Sequence, residues 1–351
     1  MNEYLQPLRR VLFLLMKQKT SYLILGILVG ILCTSVFYAF SVSKSSKHAA
    51  GSKVLKLAHG LETTHPVNIA MEFMAKRLEE LSGGKMSIDI YSGGALGDET
   101  KCIEQLKNGS LDMTKASSAT VSMFVDDVAA LTIPYLFRDT KHYWGVLDSD
   151  IGKGILSHMN SEGLVGLCFY DAGSRCFYTV KKPIEKPDDL KGLKIRVMNA
   201  KNDMKLMECF GASPTPISAG ETYTSLAQGV VDGAENNFPT YFSSAHFEVC
   251  PNFTVDEHTR LPDILIISET SFQKLSSQEQ EWLRQAARES SVFQRKLWAE
   301  KTQEARNKLI EKKVRIIEVN QDAFREKVKP MYEELKGTKI GELVEKIRNF
   351  K

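Results

Sequence analysis

Two short segments decide the predicted fold, Leu190-Lys-Gly-Leu-Lys-Ile-Arg-Val197 and Gly229-Val-Val-Asp-Gly-Ala-Glu-Asn-Asn237. The first alternates polar and apolar residues and predicts a strand that carries Arg196 on the face opposite Ile195 and Val197. The second places an acid and two amides after a turn. Because an arginine offers a planar pair of donors that matches a carboxylate, the two segments together indicate a binding site for a small acid.

Outward from these segments, strand-like and helix-like patterns alternate along the chain. Val54–Ala58, Met86–Tyr91 and Met113–Ser117 predict strands, with helices between them. Such alternation predicts an α/β fold with mostly parallel sheets.

One sequence motif occurs twice, in Cys102–Met113 and in Tyr223–Gly233: a helix end, a glycine and then an aspartate. The repeated motif predicts two lobes with the same arrangement of elements, although the same motif is common in other α/β proteins. Polar residues follow each copy at similar offsets, namely Lys115, Ser117 and Ser118 in one and Glu235, Asn236 and Asn237 in the other. Since ligands bind beyond the carboxyl ends of strands, we expect these groups to face each other across a cleft.

Composition and motifs exclude several classes of function. The 351 residues carry a formal net charge of +3, which is too small to indicate nucleic-acid binding. The sequence has no phosphate-binding glycine loop, no nucleophile elbow and no histidine or cysteine pair with metal-ligand spacing, so we predict neither cofactor nor metal. His258, beside two acids, and Glu221, at a helix start, are weak candidates for a catalytic base.

The N-terminus has the composition of an export signal. Basic residues precede an apolar run from about Tyr22 to Phe40, long enough to span a bilayer. We therefore predict that residues 1–53 are a signal peptide or a signal anchor followed by a flexible tether, and that the rest of the chain lies in the periplasm, with a tether to the inner membrane left open.

Two further features concern the body of the chain. Ser276-Ser-Gln-Glu279 is a capping box that opens a helical pattern reaching about Lys313, which predicts one long helix or two helices with a kink between them. Five cysteines follow the apolar run, and an odd number leaves at least one thiol unpaired. Cys168 and Cys176 are placed to pair across neighbouring strands, but buried free thiols are the favoured state.

Five segments resemble the DctP-type extracytoplasmic solute receptors of TRAP transporters, in the order typical of that family. They are Ser92-Gly-Gly-Ala-Leu-Gly97, Gly109-Ser-Leu-Asp112, Ile133-Pro-Tyr-Leu-Phe137, Lys186-Pro-Asp-Asp-Leu-Lys-Gly-Leu-Lys-Ile-Arg196 and Gly229-Val-Val-Asp-Gly233. The resemblance covers about Val54 to Leu335. It implies a two-lobed α/β binding protein of the Venus-flytrap type, with mixed sheets and a long helix spanning both lobes. We place lobe I at residues 54–172 and 261–300, and lobe II at residues 173–260 and 301–351.

The resemblance also implies a function and a site. Such a receptor closes on a small organic acid or sugar acid and delivers it to the permease subunits in the membrane. The family's carboxylate-binding arginine falls on Arg196, its second arginine on Arg175, and its asparagine on Asn236. To these we add residues of the type that binds sugar hydroxyls: Asn237, Glu99, Lys115 and His65.

The segment Asp232-Gly-Ala-Glu-Asn-Asn-Phe-Pro239, with His246 and Asp256-Glu-His-Thr259, resembles members that take hexuronates such as glucuronate or galacturonate. Receptors for C4-dicarboxylates, sialic acid or keto acids share the arginines. Two alternatives of other classes stay open, an α/β enzyme acting on sugar acids and a membrane-anchored sensory module.

Overall fold

The computed structural model describes residues 52–351, and the predicted export segment Tyr22–Phe40 lies outside them. The strands, all from this range, are β1 (Lys53–Ala58), β2 (Met86–Tyr91), β3 (Met113–Ser117), β4 (Leu164–Tyr170), β5 (Ser174–Thr179), β6 (Lys194–Val197), β7 (Ser213–Pro216), β8 (Gly233–Asn236), β9 (Asn252–Arg260), β10 (Asp263–Ser268) and β11 (Arg315–Glu318). The α-helices are α1 (Pro66–Ser82), α2 (Glu99–Lys107), α3 (Ser118–Val121), α4 (Thr140–Asp148), α5 (Asp150–His158), α6 (Lys201–Cys209), α7 (Thr222–Ala227), α8 (Phe238–Ser243), α9 (Glu269–Gln273), α10 (Ser277–Glu311), α11 (Gln321–Lys327), α12 (Lys329–Leu335) and α13 (Lys339–Arg348).

The strands form two mixed sheets. The first sheet has the order β2-β1-β3-β10-β4, and the second has the order β11-β9-β5-β8-β6-β7. Pairing is parallel within β2-β1-β3 and β8-β6-β7, whereas β10 runs antiparallel to both of its neighbours and β5 does the same. The mixed sheets agree with the predicted fold class. The alternation pattern alone overstated the parallel pairing, because it did not show that β5 and β10 run antiparallel to their neighbours.

Each sheet lies at the centre of a lobe because both of its faces are apolar. In β10, Ile264 and Ile266 pack into one cluster of the first lobe, and Leu265 and Ile267 pack into another on the opposite face. A strand buried on both faces reads as a continuous apolar run, and each large aliphatic side chain buried in this way contributes about 1.5–3 kcal/mol.

Two neighbouring stretches carry the chain between the sheets. β4 of the first sheet leads into β5 of the second, and β9 of the second leads into β10 of the first. Asp171, in the first crossing, accepts a hydrogen bond of 3.0 Å from Arg260, the last residue of β9 before the second. The backbone N–H and C=O of Asp171 are both bonded to the side-chain amide of Gln294 in α10, which fixes the crossings to the long helix.

Helix α10 spans both lobes, as predicted. Ser276 and Glu279 form the capping box, and the 35 residues that follow measure roughly 52 Å. Leu283 belongs to a cluster of the first lobe and Leu309 to one of the second. The helix is therefore one continuous element that contacts both lobes, and not the two helices with a kink that were the alternative.

The repeated motif has the same geometry in both lobes. Gly109 and Gly229 adopt φ of 75° and 70°, the left-handed conformation that glycine provides at a helix end. The aspartates that follow, Asp112 and Asp232, each accept a hydrogen bond from a backbone N–H of the neighbouring parallel strand, at 2.9 and 2.8 Å. The polar residues after each aspartate are thus brought to corresponding strand ends.

The C-terminal helix α13 packs differently from the predicted division of the chain. The proposed bounds assigned residues 301–351 to the second lobe, but Val344 and Ile347 of α13 lie in the cluster of the first lobe that contains Tyr143. The apolar stripe of this short helix completes the core of the first lobe after the chain has left the second.

All five cysteines of residues 52–351 are free, so Cys168 and Cys176 are not joined to each other. No helix within the same range combines the length and apolar character needed to cross a bilayer.

Candidate functional site

A cavity of about 670 Å³ lies between the lobes, with lining residues from both sheets. All of the residues predicted for the site line it, namely His65, Glu99, Lys115, Arg175, Arg196, Asn236 and Asn237. A larger surface groove of about 1000 Å³ lies beside α12 and α13, but the charged residues that line it are exposed. The cavity between the lobes is therefore the candidate site.

Arg196 is a buried cation without an acidic partner. It lies on β6 with 3% of its surface exposed, and its Nε donates a 2.8 Å hydrogen bond to the carbonyl of Ile217. In the described part of the chain no group accepts a hydrogen bond from its two terminal nitrogens, and the residue lines the cavity. Burial lowers the pKa of Arg196 from its usual value. The side chain is therefore suited to an anion that enters from solvent.

Arg175, by contrast, already has an anionic partner. Its Nη2 donates to Oε1 of Glu235 at 2.7 Å, and its Nε donates to Oε2 of the same carboxylate. Burial alone would lower the pKa of Arg175, but Glu235 raises it. Nη1 donates to Oδ1 of Asn236 at 3.2 Å, and this leaves the amide NH2 of Asn236 without a protein partner within residues 52–351. Arg175 thus positions Asn236 at the cavity.

A second cation, His258, also lies beside the carboxylate of Glu235. Nε2 of His258 lies 3.5 Å from Oε2 of Glu235, and its Nδ1 donates a 2.7 Å hydrogen bond to Oδ2 of Asp256. Burial opposes the charge on His258, but Asp256 and Glu235 raise its pKa to about 9. Burial likewise opposes ionisation of Glu235, yet Arg175 and His258 lower its pKa to about 2. His258 is a buried ion-pair partner in this arrangement, not an exposed base.

The first lobe contributes a cluster of three charged side chains. Lys115 Nζ lies 3.0 Å from Oε1 of Glu99 and 3.1 Å from Oδ2 of Asp263. The other oxygen of Glu99 accepts hydrogen bonds from the backbone of Ser117 and the hydroxyl of Thr120, at 3.0 and 2.8 Å. Burial opposes the charge of Glu99, but Lys115 lowers its pKa. The cluster is therefore rigid and charged.

His65 and Asn237 lie at the cavity with their polar atoms already engaged. Nδ1 of His65 accepts from the backbone of Val67 at 3.2 Å, so Nε2 carries the proton and donates to Thr240 Oγ1 at 3.2 Å. Asn237 caps α8 by accepting from the backbone of Thr240, and it donates to the carbonyl of Ala172. These two side chains shape the site and connect its parts.

Asp263, which lines the cavity, and Glu235, which pairs with Arg175, are not among the seven residues predicted to bind the ligand. Asp263 precedes the apolar run Ile264–Ile267. An acid at the first position of a buried strand is the signal that could have identified it. Glu235 was recognised as polar, but its pairing with Arg175 depends on the antiparallel contact of β5 and β8. Such a pairing between distant segments is not visible in the sequence.

Comparisons with known proteins identify the family. Residues 57–338 match the DctP model, described as bacterial extracellular solute-binding protein, family 7. A solute-binding protein of Chromohalobacter salexigens is 34% identical over 272 residues, which cover 77% of this chain and 81% of that protein. The sialic acid-binding periplasmic protein SiaP of Vibrio cholerae is 32% identical over 266 residues, covering 75% and 82%.

Solved structures of TRAP periplasmic solute-binding proteins share the fold. One from a Bradyrhizobium species, in complex with galacturonate, has a TM-score of 0.83 at 41% identity and covers 85% of this chain and all of that one. One from Chromohalobacter salexigens with bound D-glucuronate has a TM-score of 0.82 at 31% identity, with the same coverage. A sugar acid binding protein from Advenella mimigardefordensis in complex with galactonate has a TM-score of 0.82 at 30% identity, covering 86% and 99%. The chain is therefore a member of the DctP family of TRAP solute-binding proteins.

Proposed function

We propose that this protein binds a hexuronate, such as galacturonate or glucuronate, in the cavity between its lobes and delivers it to the membrane subunits of a TRAP transporter. The observation that carries the proposal is the buried guanidinium of Arg196, whose terminal nitrogens face the cavity without a protein acceptor in residues 52–351. A buried charge of this kind is compensated when a carboxylate enters.

The other polar groups at the cavity suit the hydroxyls of a sugar. The amide NH2 of Asn236 is a donor without a protein partner in the described chain, and Glu99 and Lys115 offer an acceptor and a donor on the other wall. The solved relatives with bound galacturonate and glucuronate support the same class of ligand.

Arg196 alone cannot account for tight binding. A hydrogen bond to a charged group contributes about 1.5–3 kcal/mol, whereas micromolar affinity requires about 8 kcal/mol. Contacts from both lobes must supply the difference, and this favours a closed form that a ligand stabilises by bridging the lobes.

The family supports a place for this receptor outside the cytoplasm. We propose that Tyr22–Phe40 directs export and that it tethers the receptor to the inner membrane wherever the signal is not removed. Mass spectrometry of the N-terminus of the protein isolated from cells distinguishes a cleaved chain from a tethered one.

The ligand is identified by calorimetry of purified receptor with galacturonate, glucuronate, galactonate and sialic acid. We expect one of the hexuronates to bind most tightly, and at 100 times its dissociation constant it should stabilise the protein by about 2.7 kcal/mol. NMR of the released ligand should show an unchanged sugar acid. Stronger binding of sialic acid, or no binding of any sugar acid, would contradict the proposal.

The hydrogen bond from His65 to Thr240 gives a test of closure. It joins the residue before α1 of the first lobe to α8 of the second, and burial together with Lys115 lowers the pKa of His65 to about 3, which keeps the ring neutral. Thr240→Val removes the acceptor, so we expect ligand affinity to fall about three- to tenfold, since a lost hydrogen bond costs about 0.5–1.5 kcal/mol.

The matched control is Thr240→Ser, which keeps the hydroxyl. Both variants keep the backbone N–H that Asn237 caps, so α8 should form in each. We expect the serine variant to bind like the natural protein, and the ring of His65 should not contribute to any change of affinity between about pH 5 and 8, because it stays neutral there. Equal affinity of the valine variant in calorimetry would show that this bond does not contribute to closure.

A further inference from the structure

The first-lobe wall of the cavity carries more negative than positive charge. Glu99 and Asp263 both contact the ammonium of Lys115, at 3.0 and 3.1 Å, and all three residues line the cavity. The side chains of Lys115 and Asp263 are only 4% and 7% exposed. One ammonium against two carboxylates leaves this cluster with one net negative charge, and the exposed Asp98 adds a further carboxylate to the same wall.

The opposite wall carries the buried cation. Arg196 lies there without a carboxylate partner in residues 52–351, beside Arg175, which Glu235 neutralises, and the exposed carboxylate of Glu221 lies on the same wall. A sugar acid that spans the cavity with its carboxylate on Arg196 would place its far end at the first-lobe wall, where Glu99 and Asp263 lie. The two walls would then contact different chemical groups of one ligand.

The acidic wall is fixed and cannot turn away from an incoming anion. Lys115, the backbone N–H of Ser117 and the hydroxyl of Thr120 hold Glu99 in place. Burial raises the pKa of Asp263 in spite of Lys115, and repulsion from Glu99 adds to this effect. A second negative charge in this cluster is already unfavourable, so the carboxylate of a ligand placed beside it would meet a larger electrostatic penalty.

We propose that Glu99 and Asp263 act as a charge filter that admits sugar acids with one carboxylate and rejects aldaric acids, which carry a carboxylate at each end. This specificity rests on the proposed function of the cavity. A terminal hydroxyl can donate a hydrogen bond to either acid, whereas a terminal carboxylate can donate to neither and is repelled by both. Rejection by like charge is a general route to specificity when the attractive contacts are shared.

Galactonate and galactarate provide a matched pair of ligands. They have the same carbon chain and the same hydroxyl configuration, and they differ in a terminal CH2OH against a second carboxylate. Calorimetry at neutral pH and physiological ionic strength should show galactarate binding at least about 100-fold more weakly than the tighter of galactonate and galacturonate. Galactarate binding within threefold of that acid overturns the filter but leaves the proposed function in place. No binding of any uronate or aldonate overturns both.

Two variants test whether these acids are responsible. Glu99→Gln and Asp263→Asn each remove one negative charge at nearly constant shape, and each should reduce the ratio of the two dissociation constants at least about tenfold. The ratio is taken within one variant, so a loss of affinity common to both ligands cancels. Asp150→Asn removes a fully exposed carboxylate on α5 and should leave the ratio unchanged. An unchanged ratio in both cavity variants assigns the discrimination to other residues.

Discussion

Replacing Arg196 with alanine is expected to weaken binding of the sugar acid at least about 30-fold, which corresponds to ~2 kcal/mol. The ligand carboxylate would then be buried without its planar donor, and none of the groups around it could take over both hydrogen bonds. Arg175 is not free to substitute, because Glu235 engages its Nε and Nη2. Calorimetric titration of the purified variant measures the loss directly.

The same substitution should leave the ligand-free fold intact. Arg196 has no carboxylate partner within residues 52–351, and burial lowers its pKa, so the folded protein holds this charge at a cost that alanine removes. We therefore expect thermal unfolding without ligand to be little changed. Such a separation of binding from stability is typical of a residue whose partner is the ligand.

Two further variants complete this test. Arg196→Lys keeps the charge but not the planar fork and should also bind poorly. Arg288→Ala removes an arginine whose ion pair with Glu281 lies on the surface of α10, and it should bind normally. If Arg196→Ala retains near-natural affinity, the carboxylate must bind elsewhere in the cavity.

Local sequence patterns predicted most of the elements that position the site. The limits of β2 and β3 follow from the alternation of Met86–Tyr91 and Met113–Ser117, and α10 begins at its predicted capping box. The repeated glycine and aspartate placed polar residues at strand ends in both lobes. These features are local, so a single sequence contains them.

The partners of each polar side chain could not be predicted in the same way. Nothing near Asn237 in the sequence shows that its amide is already bonded to Ala172 and to the start of α8. Asp263 reaches the cavity, and Glu235 reaches Arg175, through antiparallel pairing with strands far away in the chain. Helix α13 likewise joins the first lobe after a long excursion through the second. Donor type can be read from a sequence, but its availability depends on tertiary contacts.

Removing the charge of Glu235 is expected to produce the largest loss of stability. Glu235→Gln leaves Arg175 and His258 buried beside each other without the carboxylate that separates them. Breaking a buried ion pair by removing one partner costs about 3–5 kcal/mol. We expect a decrease in the free energy of unfolding of about 3 kcal/mol, measured by chemical denaturation at neutral pH.

The pH dependence of stability identifies the groups responsible. The pKa of Glu235 is lowered from 4.5 to about 2, so its contribution is present above about pH 4.5 and is lost as pH falls toward 2. The pKa of His258 is raised from 6.5 to about 9, so its contribution is present below pH 6.5 and is lost as pH rises through 9. Both contributions are complete between about pH 4.5 and 6.5, and Glu235→Gln should remove the decline on the acid side that belongs to this carboxylate.

Glu304 on α10 is the matched control, because its ion pairs are exposed. The pKa of this carboxylate is also lowered to about 2, by hydrogen bonds from Lys301 and Lys308, but its side chain is 41% exposed. Solvent screens such pairs, so Glu304→Gln should cost less than about 1 kcal/mol. Glu235 and Glu304 have a similar pKa, but their replacement by glutamine should thus cause very different losses of stability. If Glu235→Gln lowers stability no more than the control does, the buried network does not hold the second lobe together, and Arg175 must be held in place by its contact with Asn236 and its packing.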